Sequence, residues 1–195
     1  MNGPTTTAIN LSASLSFLGK RVLLIDTDTQ GNTSSGLGFD KNELEFTVYE
    51  LLTSQCGIRD SILNTEIENL DLIGSNINLA GASVELVNVP ERERILKNAL
   101  EEVDEDYDYV MIDSPPSLGL ITLNNLTAAE SVLIPLQCEY YALEGMSELL
   151  DTIFLVQKNL NPELKIEGIL MTMFDSRTNL SKQVVSEVNN YFGDK

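Results

Sequence analysis

The chain has 195 residues, 43% of them apolar, with 30 acidic against 12 basic side chains and a formal net charge of −18. That length supports one substantial core, the apolar share excludes a disordered chain, and the charge repels polyanions at long range. With no histidine, the commonest general base and metal ligand is gone, so any hydrolysis must run on carboxylates, a bound metal or positioned water.

In chain order, Thr5 to Leu18 predicts a helix with Ile9, Leu11, Leu15 and Leu18 largely toward one side. Arg21 to Asp26 (RVLLID) is short and nearly continuously apolar, as a strand buried on both faces should be. A Gly/Ser-rich loop follows, and Phe39 to Asn69, polar and aperiodic, reads as a peripheral excursion. Leu70 to Ser75 predicts a second strand. Pro90 to Val103 predicts a helix with a Pro-Glu-Arg opening and Ile95, Leu96, Ala99 and Leu100 at helical spacing. Strands are expected at Tyr109 to Pro115, Ser131 to Gln137 and Ile166 to Asp175, and helices at Ala142 to Asn159 and Ser181 to Phe192. The alternation implies an α/β fold with a mainly parallel sheet, read as a single domain over residues 1–195. Cys56 and Cys138 fit a reducing cytoplasm and buried positions better than a disulfide framework. No apolar run is long enough to span a bilayer, and the N-terminus does not read as a secretory signal.

Ligands of such sheets sit at the carboxyl ends of the strands. Asp26 with Asp28, Asp113 and Asp175 fall there, although aspartate is equally a turn and cap residue. In RVLLIDTDTQGNTSSGLG, two carboxylates one residue apart at a strand exit can hold a magnesium-bound water and orient an attacking one. YVMIDSPPSLG has the form of a Walker-B strand whose terminal acid, Asp113, supports a magnesium shell. The helix from Thr5 opens on adjacent hydroxyls, where free N–H groups and the helix dipole attract phosphate and a hydroxyl can ligate a metal. Singly these signals are unspecific; in this order they point to a nucleotide site.

The stretches TTTAINLSASL, GKRVLLIDTDTQGNTSSGLG, YDYVMIDSPPSLGLITLNNLTAAESVLIPLQCEYYALEG and TMFDSRTNL closely resemble the ParA/Soj partitioning ATPases of the MinD/ParA group of P-loop proteins. The resemblance covers essentially the whole chain. It implies a three-layer P-loop NTPase fold and an ATP-switched homodimer. That dimer would use Mg2+, bind DNA without sequence specificity and be stimulated by a ParB-type centromere-binding protein, in the cytoplasm and on the nucleoid. Carried over by position, Gly3 and Pro4 fall on the last two places of the phosphate loop K-G-G-V-G-K before Thr5. Thr5 falls on the magnesium-binding hydroxyl and Thr6 on a phosphate contact. Asp26 and Asp28 fall on the two acids of the switch segment, with Asp28 positioning the attacking water. Asp113 falls on the Walker-B acid that reaches the metal through water, and Arg177 on a DNA-facing basic position.

Three departures qualify the resemblance. Pro4 replaces the phosphate-loop lysine and brings neither charge nor N–H. A charge-assisted contact is worth roughly 1.5–3 kcal/mol, so nucleotide affinity is expected to fall by roughly ten- to over a hundredfold. The family's first strand and most of its phosphate loop are expected to be missing, and the chain stops short of the family's last segments. These features suggest a fragment whose ATP binding and hydrolysis are impaired. The alternative is a nucleotide-incompetent interaction or regulatory module, for example one that accepts a strand from another chain. Thr29, where the family usually has proline, is a minor variation. Iron–sulfur relatives need cluster cysteines that Cys56 and Cys138 do not supply, and the membrane-associated relatives need a basic amphipathic C-terminal helix that NNYFGDK does not make.

Overall fold

A computed structural model describes residues 3–138 and 142–193, the side chains of residues 142–144, 180 and 189–192 apart. Met1, Asn2, residues 139–141 within the QCEYYALEG stretch, and the last two residues lie outside it. Chain contacts cluster into two compact units, Met1–Ala128 and Ala129–Lys195.

The first unit is organised around strand β1 (Val22–Asp26), all five residues of which are buried. It pairs in parallel with β3 (Leu70–Ile73) on one side and β4 (Tyr109–Asp113) on the other, and β2 (Ile62–Asn64) adds antiparallel to β3. Alternation sends its side chains to two cores, giving three layers. Leu23 and Ile25 join Ile73, Leu96 and Ile121 on one face; Val22 and Leu24 join Ala8, Leu70 and Leu72 on the other. β4 has one paired side. Tyr109 is 44% exposed, Val110, Met111 and Ile112 are half-buried, and no strand pairs with its outer edge among the described residues.

Helix α1 (Gly3–Phe17) lies against this sheet through Thr5, Ala8, Ser12 and Ser16. This corrects the expected apolar face: Ile9, Leu11 and Leu15 flank the contact half-buried, and Leu18 is 78% exposed. Small side chains let the helix approach closely, and several hydroxyls are absorbed by its own turns, as Thr7 Oγ1 to the Gly3 carbonyl at 2.8 Å. The segment from Phe39 to Asn69 is not peripheral either. It forms α3 (Val48–Leu52), α4 (Ile58–Ser61) and β2, and it buries Val48, Leu51, Leu52 and Ile58 in the main core. Thr47 and Glu50 make a capping box at the start of α3.

Three further helices escape the sequence reading: α2 (Asn32–Gly36), α5 (Leu79–Glu85) and α7 (Leu120–Ala128). The helix expected from Pro90 starts only at Ile95 (α6, Ile95–Leu100), because Glu91 is left-handed at φ 52° and a 3-10 turn intervenes. Asn124 in α7 caps it from outside, accepting from Leu96 N at 3.2 Å and donating to the Arg92 carbonyl at 2.8 Å.

The second unit is a parallel β–α–β element, β5 (Ser131–Gln137), α8 (Ala142–Asn159) and β6 (Lys165–Thr172), followed by α9 (Asn179–Phe192). Its core includes Ile134, Leu136, Leu150, Ile153, Val156 and Val184. β6 ends at Thr172, not Asp175, because Met173 turns left-handed at φ 55°. No helix among the described residues is long and apolar enough to cross a membrane.

Candidate functional site

Parallel pairing of β1 with β4 sets Asp26 and Asp113 side by side as register partners at the carboxyl end of the sheet. Asp26 has no exposed surface and three donors: Asp28 N to Oδ1 at 3.1 Å, and Ser34 N and Oγ to Oδ2 at 2.9 and 2.8 Å. Ser34 Oγ in turn accepts from Ser75 N at 3.0 Å, just beyond β3. Burial raises the proton affinity of Asp26, these donors oppose the rise, and the charge of Asp113 adds to it.

Asp113 is 3% exposed and held differently. Thr33, at the start of α2, donates from Oγ1 to Oδ2 at 2.6 Å, and Thr5 in the first turn of α1 interacts through its side-chain hydroxyl. Burial raises the proton affinity of Asp113; Thr33 and Thr5 lower it, and the charge of Asp28 raises it again. Its backbone carbonyl accepts from Thr27 N at 3.0 Å and Thr27 Oγ1 at 2.7 Å, which ties the exit of β1 to that of β4.

Asp28 is half-buried, and its Oδ1 accepts from Gln30 N at 3.0 Å while its carbonyl accepts from Gly31 N at 2.9 Å, a tight turn. Gly31 sits at φ 58°, where an added Cβ would lie 2.6 Å from the Ser75 carbonyl and 2.8 Å from the stem of Lys41. Lys41 Nζ donates to the Gln30 carbonyl across the same turn.

The structure therefore gathers Thr5, Asp26, Asp28 and Asp113, the core of the sequence expectation. Gly3 and Pro4 form the first turn of α1 ahead of Thr5, and the carbonyl of the neighbouring Thr6 accepts from Asn10 at 2.8 Å. Asp175 is not at a strand end: it lies in the second unit, three residues past β6, and chelates Arg177 through Nε at 2.9 Å and a terminal nitrogen at 2.7 Å. Thr27, Thr33, Ser34 and Asn125 are the site residues that sequence reasoning missed. Hydroxyls in a Gly/Ser-rich segment following the double acid were the one available signal for Thr33 and Ser34, and the place of Thr27 between the two acids was the signal for it.

No group of three or more carboxylate or cysteine side chains could hold a metal among the described residues. The donor set is all oxygen, one buried hydroxyl and one buried carboxylate, and it suits magnesium, which keeps several waters and takes one or two protein ligands beside phosphates. Two neighbouring acids whose proton affinity burial has raised also favour a compensating cation.

The AAA domain family matches residues 2–166. The sporulation initiation inhibitor protein Soj of Bacillus subtilis is 58% identical over 193 residues, covering 99% of this chain and 76% of that protein. The chromosome partitioning protein ParA of Myxococcus xanthus is 55% identical over 190 residues, covering 97% and 67%. Among solved structures, a Mycobacterium smegmatis protein described as cobyrinic acid a,c-diamide synthase, with bound ADP and magnesium, superposes with a TM-score of 0.93 at 42% identity, covering 98% of this chain and 78% of that one.

Proposed function

The chain belongs to the ParA/Soj family of chromosome-partitioning ATPases, and from that premise we propose that it carries a magnesium–nucleotide site weakened at one position. The observation that carries the reading is the meeting of Thr5 and Asp113, a hydroxyl at the head of a helix and a carboxylate at the end of a neighbouring strand. The Thr5 hydroxyl would ligate the ion and Asp113 would reach it through water; bound there, magnesium neutralises phosphate charge. Asp28, with one carboxylate oxygen fixed by Gln30 N, would orient water. Asp26, saturated by three donors, shapes the turn that carries Asp28. Gly3 and Thr6 would offer backbone and hydroxyl contacts to phosphate, and Pro4 removes the cation that would make them strong. The two units are read as parts of one nucleotide-binding domain, which the family match across both supports.

In this reading the chain is an ATP-responsive homodimer that acts on DNA with a ParB-type centromere-binding partner in chromosome or plasmid segregation. Arg177 is the DNA-facing position; its pairing with Asp175 and the net charge of −18 make DNA retention at physiological salt weak. Titration of a fluorescent ATP analogue tests the site. Weak, magnesium-dependent binding that Thr5→Val abolishes is expected; micromolar binding with turnover overturns the impairment, and binding indifferent to magnesium and to Thr5→Val overturns the site.

The outer edge of β4 favours a second reading, an interaction module that accepts an extended segment along Tyr109–Asp113. Size-exclusion chromatography with light scattering tests it: self-association or dye-reactive apolar surface is expected, and a stable, dye-silent monomer counts against it.

A further inference from the structure

We propose that Asn125 is a positioning residue that locks the turn carrying Asp28 to the segment following Asp113, so that the two carboxylates keep one spacing. Its purpose rests on the magnesium–nucleotide reading; its geometry does not.

Asn125 stands on α7, is 4% exposed, and places one amide nitrogen 2.8 Å from Thr27 Oγ1 and 2.8 Å from Ser114 Oγ. Thr27 lies between Asp26 and Asp28, and Ser114 follows Asp113 directly. Thr27 Oγ1 is itself engaged, donating to the Asp113 carbonyl at 2.7 Å, so it must accept from Asn125. The amide orientation is fixed by that chain of donors: a flipped amide would set an acceptor against a hydroxyl whose proton is already committed. One planar nitrogen with two hydrogens thus spans both segments, a geometry that no hydroxyl or apolar side chain reproduces.

The contrast with Asn124 separates this role from ordinary helix packing. Asn124 is saturated, accepting from Leu96 N and donating to the Arg92 and Leu120 carbonyls. Asn125 leaves Oδ1 buried with no partner among the described residues, a configuration that an apolar residue would avoid. What Asn125 supplies is the pair of donors.

Amide hydrogen exchange on the full chain without ligand tests the proposal. In Asn125→Ala, exchange at the amides of Asp28, Gln30 and Gly31 accelerates at least tenfold, while Leu24 and Leu72 keep wild-type rates and the melting curve is unchanged. Thr27→Val reproduces the pattern, and the double variant accelerates the three amides no further than either single change. Wild-type rates at those amides, or equal acceleration at the strand amides, overturns the proposal. Should Asn125→Ala fail to fold, Thr27→Val and Ser114→Ala decide by the same readout. Titration of fluorescent ATP with and without magnesium keeps the two readings apart: a wild-type chain with no magnesium-dependent binding removes the nucleotide reading, and the exchange pattern alone then decides the role of Asn125.

Discussion

Asp26 and Asp113 end neighbouring strands in register, yet they are built for opposite ends. Two of the three donors to Asp26 are backbone N–H groups, which cannot leave without dismantling the turn and the start of α2. The side-chain donor to Asp113 is the Thr33 hydroxyl, which can rotate and turn a lone pair toward an ion instead. Identical chemistry and almost identical burial therefore give one carboxylate that holds shape and one that is less tightly committed, as the proposed ion site requires. The distinction lies in which atoms surround the acid, not in where the acid stands on its strand.

Substitutions can break or sharpen this contrast. The largest effect is expected from Asp26→Ala, which strands Ser34 N, Ser34 Oγ and Asp28 N without an acceptor; at about 1–3 kcal/mol for each unsatisfied buried group, a urea melt should lose about 3 kcal/mol or more. Asp113→Asn should do the reverse. It removes a buried charge and leaves an acceptor for Thr33, so stability against urea holds or rises, while magnesium-dependent nucleotide binding falls by about tenfold or more, as titration would show. If Asp113→Asn unfolds the chain and Asp26→Ala does not, the contrast is inverted. Gly31→Ala forces a side chain into a left-handed position against the Ser75 carbonyl and should cost about 1–3 kcal/mol in the same melt.

The pH response is the smallest effect and the finest test. Asp26 and Asp113 have raised proton affinity in the fold, so their contribution is fully present below the ordinary carboxylate value of 3.8 and is lost as pH rises through their raised values. Asp108 and Asp175, depressed by Arg21 and Arg177, run oppositely: their contribution is present above 3.8 and lost as pH falls through the lowered values. Both are surface pairs that salt screens. In high salt, urea stability should therefore rise as pH falls from neutral toward 3.8, and the rise should shrink in Asp113→Asn.

Much of this was legible in sequence. RVLLID and YVMID announce strands buried within a sheet because no other short segment tolerates so unbroken an apolar run, and their terminal acids follow. Thr5 was legible as the head of a helix. The different fates of the two acids were not, because the partners arrive from elsewhere: Ser34 lies 8 residues from Asp26, and Thr33 lies 80 from Asp113. α2 (NTSSG) and α7 (LITLNNLTA) escaped because Asn, Thr, Ser and Gly are poor helix formers, and tertiary burial overrides that propensity. Asn125 was invisible for a related reason: an asparagine looks like surface until Thr27 and Ser114, just past the strand ends, close over it.

The face that α1 turns to the sheet is made of Thr5, Ala8, Ser12 and Ser16, and it carries a consequence for the distant hydroxyl. Side-chain size along that face is the spacer that fixes the height at which the helix rides. Widening it at Ser12 or Ser16, about two and three turns from Thr5, would lift the rod and swing its leading end. In the proposed site the reach of Thr5 is thus set by residues far from any bound ligand, and affinity there would be retuned from the far end of the helix while every polar contact group stays unchanged.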